Sequence, residues 1–241
     1  MKNILITGVS RGLGLQIAKE LLETGNCVYG VSRSSTPELE QLLADYPSQM
    51  RWISYDLSDS KSIRKVIFKD WLSFDTVLHG FVNNAAFAYD DIITNANVDQ
   101  LSKMFDVNVI SPMIMVKYTI RQMLLHRVKG SIVHLSSISA HTGYKGLSMY
   151  AATKGALEAY SKNTAREWGE IGVRSNCLVA GFMETEMSST LSDSQKNRIF
   201  NRTSMKKPVS IESVASTICF LLSDGASSIT GQLIHVDNGT I

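Results

Sequence analysis

The chain is predicted to be a single α/β domain, an open parallel sheet of seven strands with helices packed on both faces. Three observations predict it. Short apolar runs alternate with amphipathic segments from end to end. A glycine-rich turn, Thr7-Gly8-Val9-Ser10-Arg11-Gly12-Leu13-Gly14, joins the first strand to the first helix. No Pro/Gly/Ser linker, internal repeat or low-complexity tract divides the 241 residues, a length that single α/β domains reach.

The elements follow in order. Asn3 to Thr7 reads as a short buried strand. Leu13, Ile17, Ala18, Leu21 and Leu22 recur at helical spacing, and Gly25 supplies a stop. Cys27 to Ser32 is a second strand, Pro37 to Tyr46 a helix, and Arg51 to Ser54 a third strand. Ser58 is read as the cap of a helix running toward Trp71. Gly80 to Asn83 is a fourth strand. A long helix begins at Asn97 or Val98 and continues to about His126, with a kink or a local break expected at Pro112. Ser131 to Leu135 is a fifth strand, Met149 to Trp168 a helix, and Arg174 to Val179 a sixth strand. A polar segment from Glu184 to Arg202, a helix from Ile211 to Leu222 and a strand from Leu233 to Val236 complete the chain.

Composition excludes more than it selects. A net charge of +2 gives no electrostatic footprint for nucleic acid or a membrane surface. No run approaches the roughly 18 apolar residues of a membrane span, and the N-terminus lacks a secretory pattern, so a cytoplasmic location is expected. Cys27, Cys177 and Cys219 are odd in number and far apart, so free thiols are expected. No metal site is read from the sequence.

Glycines in the first turn let the backbone approach a pyrophosphate closely, and the helix N-terminus offers it unpaired N–H groups. The spacing is GxxxGxG rather than GxGxxG, and packing of helix on strand is the competing explanation. The second strand ends in Val31-Ser32-Arg33-Ser34, with no acid to grip a ribose 2′-hydroxyl. Arg33, with Arg11 and the hydroxyls of Ser32 and Ser34, suits a 2′-phosphate, so NADP(H) is expected rather than NAD(H). Tyr150 and Lys154 stand at i and i+4 on one helix face. An ammonium beside a phenol favours the phenolate, so the tyrosine is expected to become a better proton donor. Ser137 and the run Asn83-Asn84-Ala85-Ala86 end neighbouring strands, where open α/β sheets bind ligands.

Over essentially its whole length the chain resembles the short-chain dehydrogenase/reductase family. The motifs are Thr7–Gly14, Asp56-Leu57, Asn83–Ala86, Asn108, Ser137, and Tyr150 with Lys154. The resemblance implies a Rossmann-type sheet ordered 3-2-1-4-5-6-7. It implies that Tyr150 donates a proton to a carbonyl oxygen, that Ser137 orients that carbonyl, and that Lys154 assists Tyr150 and binds the nicotinamide ribose. Asn108 would hold a water that links Lys154 to solvent. Gly8, Ser10, Arg11, Gly12, Leu13 and Gly14 would cradle the cofactor phosphates. Asp56 and Leu57 would hold the adenine, and Asn84, Ala85 and Ala86 would line the cofactor. Gly181, Met183 and Thr185 would face the nicotinamide.

Two departures from the family pattern stand out: Ala180-Gly181 where Pro-Gly is usual, and Val236-Asp237-Asn238-Gly239 where Gly-Gly usually closes the motif. The lid-like stretch around Phe182, Met183, Met187 and Leu191 resembles that of 3-oxoacyl-[acyl-carrier-protein] reductases. This implies a 3-oxoacyl thioester substrate on an acyl carrier protein, and a homotetramer (or homodimer). The alternatives are a free small ketone or alcohol, and a silent dinucleotide-binding sensor or scaffold. Arg121, His126, Arg127 and Lys129 are expected near the cleft mouth, where they would meet an acidic carrier. Glu170 stands where the family has a second carrier-contacting arginine.

Overall fold

A computed structural model describes residues 1–184 and 192–240. Thr185, Met187 and Leu191, three of the residues expected at the nicotinamide and the lid, lie outside the described residues. Among the described residues seven strands form one parallel sheet: β1 (Asn3–Thr7), β2 (Cys27–Ser32), β3 (Met50–Ser54), β4 (Gly80–Asn83), β5 (Ser131–Ser137), β6 (Arg174–Ala180) and β7 (Leu233–Val236). Their spatial order is β3-β2-β1-β4-β5-β6-β7, as the resemblance implies. The order reverses between β1 and β4, the switch point beside which such sheets open a crevice.

Strand period sorts the core into two layers, because successive side chains point to opposite faces. Ile4 and Ile6 of β1 pack with Leu13, Ile17 and Leu21 of α1 (Gly12–Glu23), Leu39 and Leu42 of α2 (Pro37–Asp45), and Val214 and Ile218. Leu5, between them in sequence, joins Phe81 and Ile132 on the other face, against Ile67, Phe68, Met115 and Ile120. Covered on both sides, the strands need no polar face, which is why they read as continuous apolar runs.

The helix after β3 differs from the sequence expectation. Its ordered part, α3, is a wide π-type helix at Arg64–Trp71. Ser58 does not cap it; the Ser58 amide is itself taken by Asp56 Oδ1 at 2.8 Å, and Asp59 Oδ1 accepts the Ser62 N–H at 3.2 Å.

The long helix α4 starts where the sequence places it, with Asn97 capping the Gln100 N–H at 3.0 Å. It runs as Val98–Phe105, a π-type turn at Asp106–Ile110, and Ser111–Leu125. The irregularity therefore precedes Pro112, in the turn that carries Asn108, and Pro112 sits at the start of the regular segment that follows. Proline fits there because its missing N–H would have served the carbonyl of Asn108, four residues back.

Helix α5 spans Ser148–Trp168 and lies over β5 and β6. Helix α6 (Asp193–Phe200) falls within the polar segment, and α7 is Ile211–Leu222. No described helix is long and apolar enough to cross a membrane. The three cysteines are free.

Candidate active site

The C-terminal ends of β1, β4, β5 and β6 share one edge, and most of the sequence-predicted site residues are brought there. At β1 the chain turns through Gly8 with φ +76°. A side chain on Gly14 would place its Cβ 2.0 Å from the Gly8 carbonyl oxygen, so glycine is required by close approach of helix to turn. The turn is then bolted to the end of β4. Asn84 Nδ2 donates to the carbonyls of Thr7 at 3.0 Å and Gly8 at 3.1 Å. Thr7 Oγ1 accepts the N–H groups of Asn84 at 3.2 Å and Ala85 at 3.1 Å. Asn84 thus shapes the turn through its side chain, a use the sequence reading missed. Thr36 at the start of α2 adds a bond of 2.6 Å to the Ser10 carbonyl.

The open side of this turn suits an anion. Arg11 occupies the N-cap of α1 without a side-chain hydrogen bond to the first turn, which also holds no acid. Gly12 is exposed with φ +55° and nothing within 4 Å of where a Cβ would lie. The first turn of a helix carries N–H groups without intrahelical partners, and the helix end carries partial positive charge. Leu13 is buried, so only its main chain can face that space.

At the ends of β2 and β3, Arg33 and Ser34 are exposed, whereas Ser32 is buried. The Ser32 hydroxyl accepts from Trp52 Nε1 at 2.8 Å and donates to the Ser34 carbonyl at 3.0 Å, so its proton is already committed. Asp56 lies within electrostatic reach of Arg33. Its carboxyl is held below the ordinary range, first by the Ser58 backbone N–H and with help from Arg33. The Leu57 carbonyl accepts Ser111 Oγ at 2.5 Å.

The candidate reacting groups come from β5, α4 and α5. Ser137 ends β5, and its Oγ accepts the Ser139 N–H at 3.2 Å. The Ser139 hydroxyl lies 3.0 Å from the same oxygen and donates to it. With both lone pairs engaged, the Ser137 proton is left for a further acceptor. Ser139 is a residue the sequence reading missed; only its place two positions beyond Ser137 could have flagged it.

Asn108 is 1% exposed, turned inward by the π-type turn. Its Oδ1 accepts the Phe87 N–H at 2.7 Å, and its Nδ2 donates to the Phe87 carbonyl at 2.8 Å and to Thr153 Oγ1 at 3.1 Å. The side chain therefore pins the loop after β4 to α5, with both Nδ2 donors engaged. A relay through Asn108 would have to run from its main-chain carbonyl, the group that Pro112 leaves without an i+4 donor.

Lys154 is 2% exposed. Its Nζ donates to the Leu135 carbonyl at 2.8 Å and stands 5.4 Å from the centre of the Tyr150 ring. Tyr150 itself is half-buried. The two groups face each other as the spacing predicts, but the electrostatic expectation is corrected. Burial, with the Asp90 carboxylate adding, pushes the Tyr150 phenol above its ordinary value. Burial also lowers Lys154 to about 8. Desolvation outweighs the ammonium's pull on the phenol. A phenol so placed stays protonated across the neutral range, as a proton donor must.

At the end of β6, Gly181 donates its N–H to the Val236 carbonyl at 2.9 Å. Met183 packs on the core, and the rings of Phe182 and Phe200 meet edge to face at 5.8 Å. Ala180 in place of proline leaves β6 intact. Asn238 takes φ +56°, the left-handed conformation expected of it, and its Nδ2 donates to the carbonyls of Lys207 and Pro208.

The basic cluster is a second correction. Arg127 and Lys129 lie between α4 and the start of β5, at the edge of the sheet opposite Ser137. His126 Nε2 bonds the Phe74 carbonyl at 2.8 Å, and Arg121 lies over the Tyr118 ring. Because α4 runs antiparallel to the strands, its C-terminal end cannot reach the mouth of its own cleft. Glu170, in the turn after α5, sits at that same far edge.

Known proteins share this sequence pattern and this fold. A family model described as "Enoyl-(Acyl carrier protein) reductase" matches residues 8–240. The chain is similar to the 3-oxoacyl-[acyl-carrier-protein] reductase FabG of Chlamydia trachomatis, with 30% identity over 99% of this chain and 96% of that one. It is 32% identical to the enzyme of the same name from Salmonella typhimurium, at the same coverage. Among solved structures, a "short chain dehydrogenase/reductase family protein" superposes with TM-score 0.87 at 29% identity, covering 99% of this chain and 96% of that one. The structure titled "ElxO with NADP Bound" superposes with TM-score 0.88 at 27% identity, covering 99% and 98%.

Proposed function

The chain belongs to the short-chain dehydrogenase/reductase family, and from that premise we propose that it is an NADPH-dependent ketoreductase converting a 3-oxoacyl thioester, carried on an acyl carrier protein, to the 3-hydroxyacyl product. The observation that supports the reading is the Ser137 oxygen, which accepts from both the N–H and the hydroxyl of Ser139 and so keeps its own proton for a further acceptor, on the edge shared with Tyr150 and Lys154. Two hydroxyl donors at one edge suit a carbonyl oxygen on which negative charge develops.

The uncapped first turn of α1 and the open face at Gly12 would take the pyrophosphate, and Arg33 the 2′-phosphate. When bound, the reduced nicotinamide supplies the hydride. The chain supplies the rest. Ser137 donates a hydrogen bond to the carbonyl oxygen. As that oxygen gains the electron pair of the breaking π bond, Tyr150 releases its Oη proton to it. The nascent alkoxide is far more basic than even a raised phenol, so the transfer runs downhill. The buried Lys154 ammonium then steadies the phenolate left behind.

The matched family model is described by enoyl reduction, which is a second reading. There the hydride reaches a carbon–carbon double bond, and no hydroxyl pair need converge on a carbonyl. NADPH oxidation would be measured with a carrier-bound 3-oxoacyl thioester, the matching 2-enoyl thioester and a free 3-oxoester. Turnover of the carrier-bound ketone above both others is expected. Faster enoyl turnover would sink the ketoreductase assignment, and equal rates on the free ester would remove the carrier.

Two further outcomes are expected. Arg33→Ala should weaken NADPH binding by about tenfold or more, the loss of one charge-assisted hydrogen bond, and leave NADH almost unchanged. Calorimetric titration with each nucleotide checks this; equal losses would exclude a 2′-phosphate contact.

The second concerns pH. With Lys154 lowered to about 8, kcat/KM for reduction should fall as pH rises through that value, because the ammonium is lost. The lysine's own contribution to stability moves the other way. A depressed folded-state pKa means that the unfolded chain binds the extra proton between about 8 and 10.5. The lysine's contribution is then fully present above 10.5 and lost as pH falls through about 8, a swing of ~3 kcal/mol. Unchanged kcat/KM between about pH 7 and 9 would exclude a part for the ammonium.

A further inference from the structure

The segment that carries Ser137 is closed by a carboxylate that neither the phosphate turn nor the proton donor uses. Ser136 Oγ donates to Glu158 Oε1 at 2.5 Å. The His141 Nε2–H donates to that same oxygen at 2.9 Å. One donor precedes Ser137 by a residue and the other follows it by four, so a single oxygen joins both ends of the turn. Glu158 stands on α5 four residues beyond Lys154 and eight beyond Tyr150, on the face that meets the sheet.

Ser136 is 2% exposed and Glu158 8% exposed. A carboxylate there costs several kcal/mol unless it is hydrogen-bonded, and an apolar side chain would fill the position without that cost. The restraint extends outward, since the His141 and His235 rings meet edge to face at 5.0 Å on the side of β7.

We propose that Glu158 is a positioning residue for the carbonyl reduction: it clasps the Ser136–His141 turn to α5 and so fixes the Ser137 hydroxyl relative to the Tyr150 hydroxyl. The inference rests on the reading that Ser137 and Tyr150 act on one carbonyl oxygen. Two donors that must meet a single atom tolerate little slack, and a displacement of about 1 Å can cost roughly 100-fold in rate. The nucleotide turn lies across the switch point on β1 and α1, so cofactor binding should not feel the clasp.

The test uses the full chain, NADPH, and the pantetheine thioester of 3-oxobutanoate as probe. Glu158→Ala should lower kcat by about 10- to 100-fold and change NADPH affinity less than about threefold. Glu158→Gln keeps an oxygen that can accept both bonds and should retain most of the rate. On a Ser137→Ala background, Glu158→Ala should cost almost nothing further, because there is no hydroxyl left to place. If Glu158→Ala does not fold, Ser136→Ala and His141→Ala, which each remove one donor, carry the same test with smaller losses.

Full activity in the Glu158, Ser136 and His141 variants of an active wild type would overturn this inference alone. So would a Gln variant as slow as Ala, or an undiminished Glu158 effect without Ser137. A wild type that turns over no carbonyl probe overturns the ketoreductase reading and this one with it.

Discussion

Tyr150→Phe should lower kcat for ketone reduction by about 10³-fold or more, at the upper part of the range for a positioned general acid, and leave NADPH binding nearly intact. The substitution removes one oxygen and keeps the ring that Lys154 Nζ faces at 5.4 Å. Among the described residues the phosphate turn is held by Asn84, Thr7 and Thr36 rather than by Tyr150. Stopped-flow kinetics with calorimetric NADPH binding separates the two effects. Wild-type turnover in the variant would remove Tyr150 as the donor. Loss of NADPH affinity equal to the loss of rate would mean that the phenol acts in binding instead. The expected loss does not depend on a lowered phenol pKa, because Tyr150 is held above its ordinary value and still outcompeted by an alkoxide for the proton.

Gly14→Ala should be the most damaging methyl addition in the nucleotide turn. The new Cβ would lie 2.0 Å from the Gly8 carbonyl oxygen and 2.6 Å from Asn84 Nδ2, where no flexible side-chain end can give way. Relieving the clash means moving the turn off α1 and breaking the Asn84 bonds to Thr7 and Gly8. A cost of about 3 kcal/mol or more is expected for overpacking against backbone, which at roughly 2–4 °C per kcal/mol lowers the melting temperature by about 10 °C. Gly12→Ala is the control. Its Cβ meets nothing within 4 Å, and only φ +55° opposes it, a penalty of about 1 kcal/mol. Differential scanning calorimetry of both variants checks the ordering. Comparable losses would show that backbone conformation, rather than the close approach of helix to turn, governs this segment.

Most of the architecture was legible because strands covered on both faces are written as apolar runs and helices as a 3.6-residue stripe. Cys27–Ser32 and Leu233–Val236 are found where the pattern places them. The boundary errors share a cause. Ser58 looks like a cap, but its amide is captured by Asp56 before a helix can start, and no periodicity reports such local competition. The irregularity near Pro112 falls in the preceding turn, because proline is tolerated at the start of a helical segment and the wider turn turns Asn108 inward.

Within the candidate site, the sequence by itself determined which side chains share an edge. Parallel strands all end on one side, and Tyr150 and Lys154 are fixed on one face by helical spacing. Tertiary structure alone decided how those groups are charged and held. It raised the Tyr150 phenol by burial and spent the Ser32 and Asn108 side chains on internal bonds. It filled the lone pairs of Ser137 from Ser139, and it carried the basic end of α4 to the far edge. Most of these outcomes depend on distances between residues remote in sequence and on how much water is excluded around them, and even the local Ser137–Ser139 contact depends on how the backbone turns after β5. A linear pattern encodes direction and period, but neither solvation nor three-dimensional proximity.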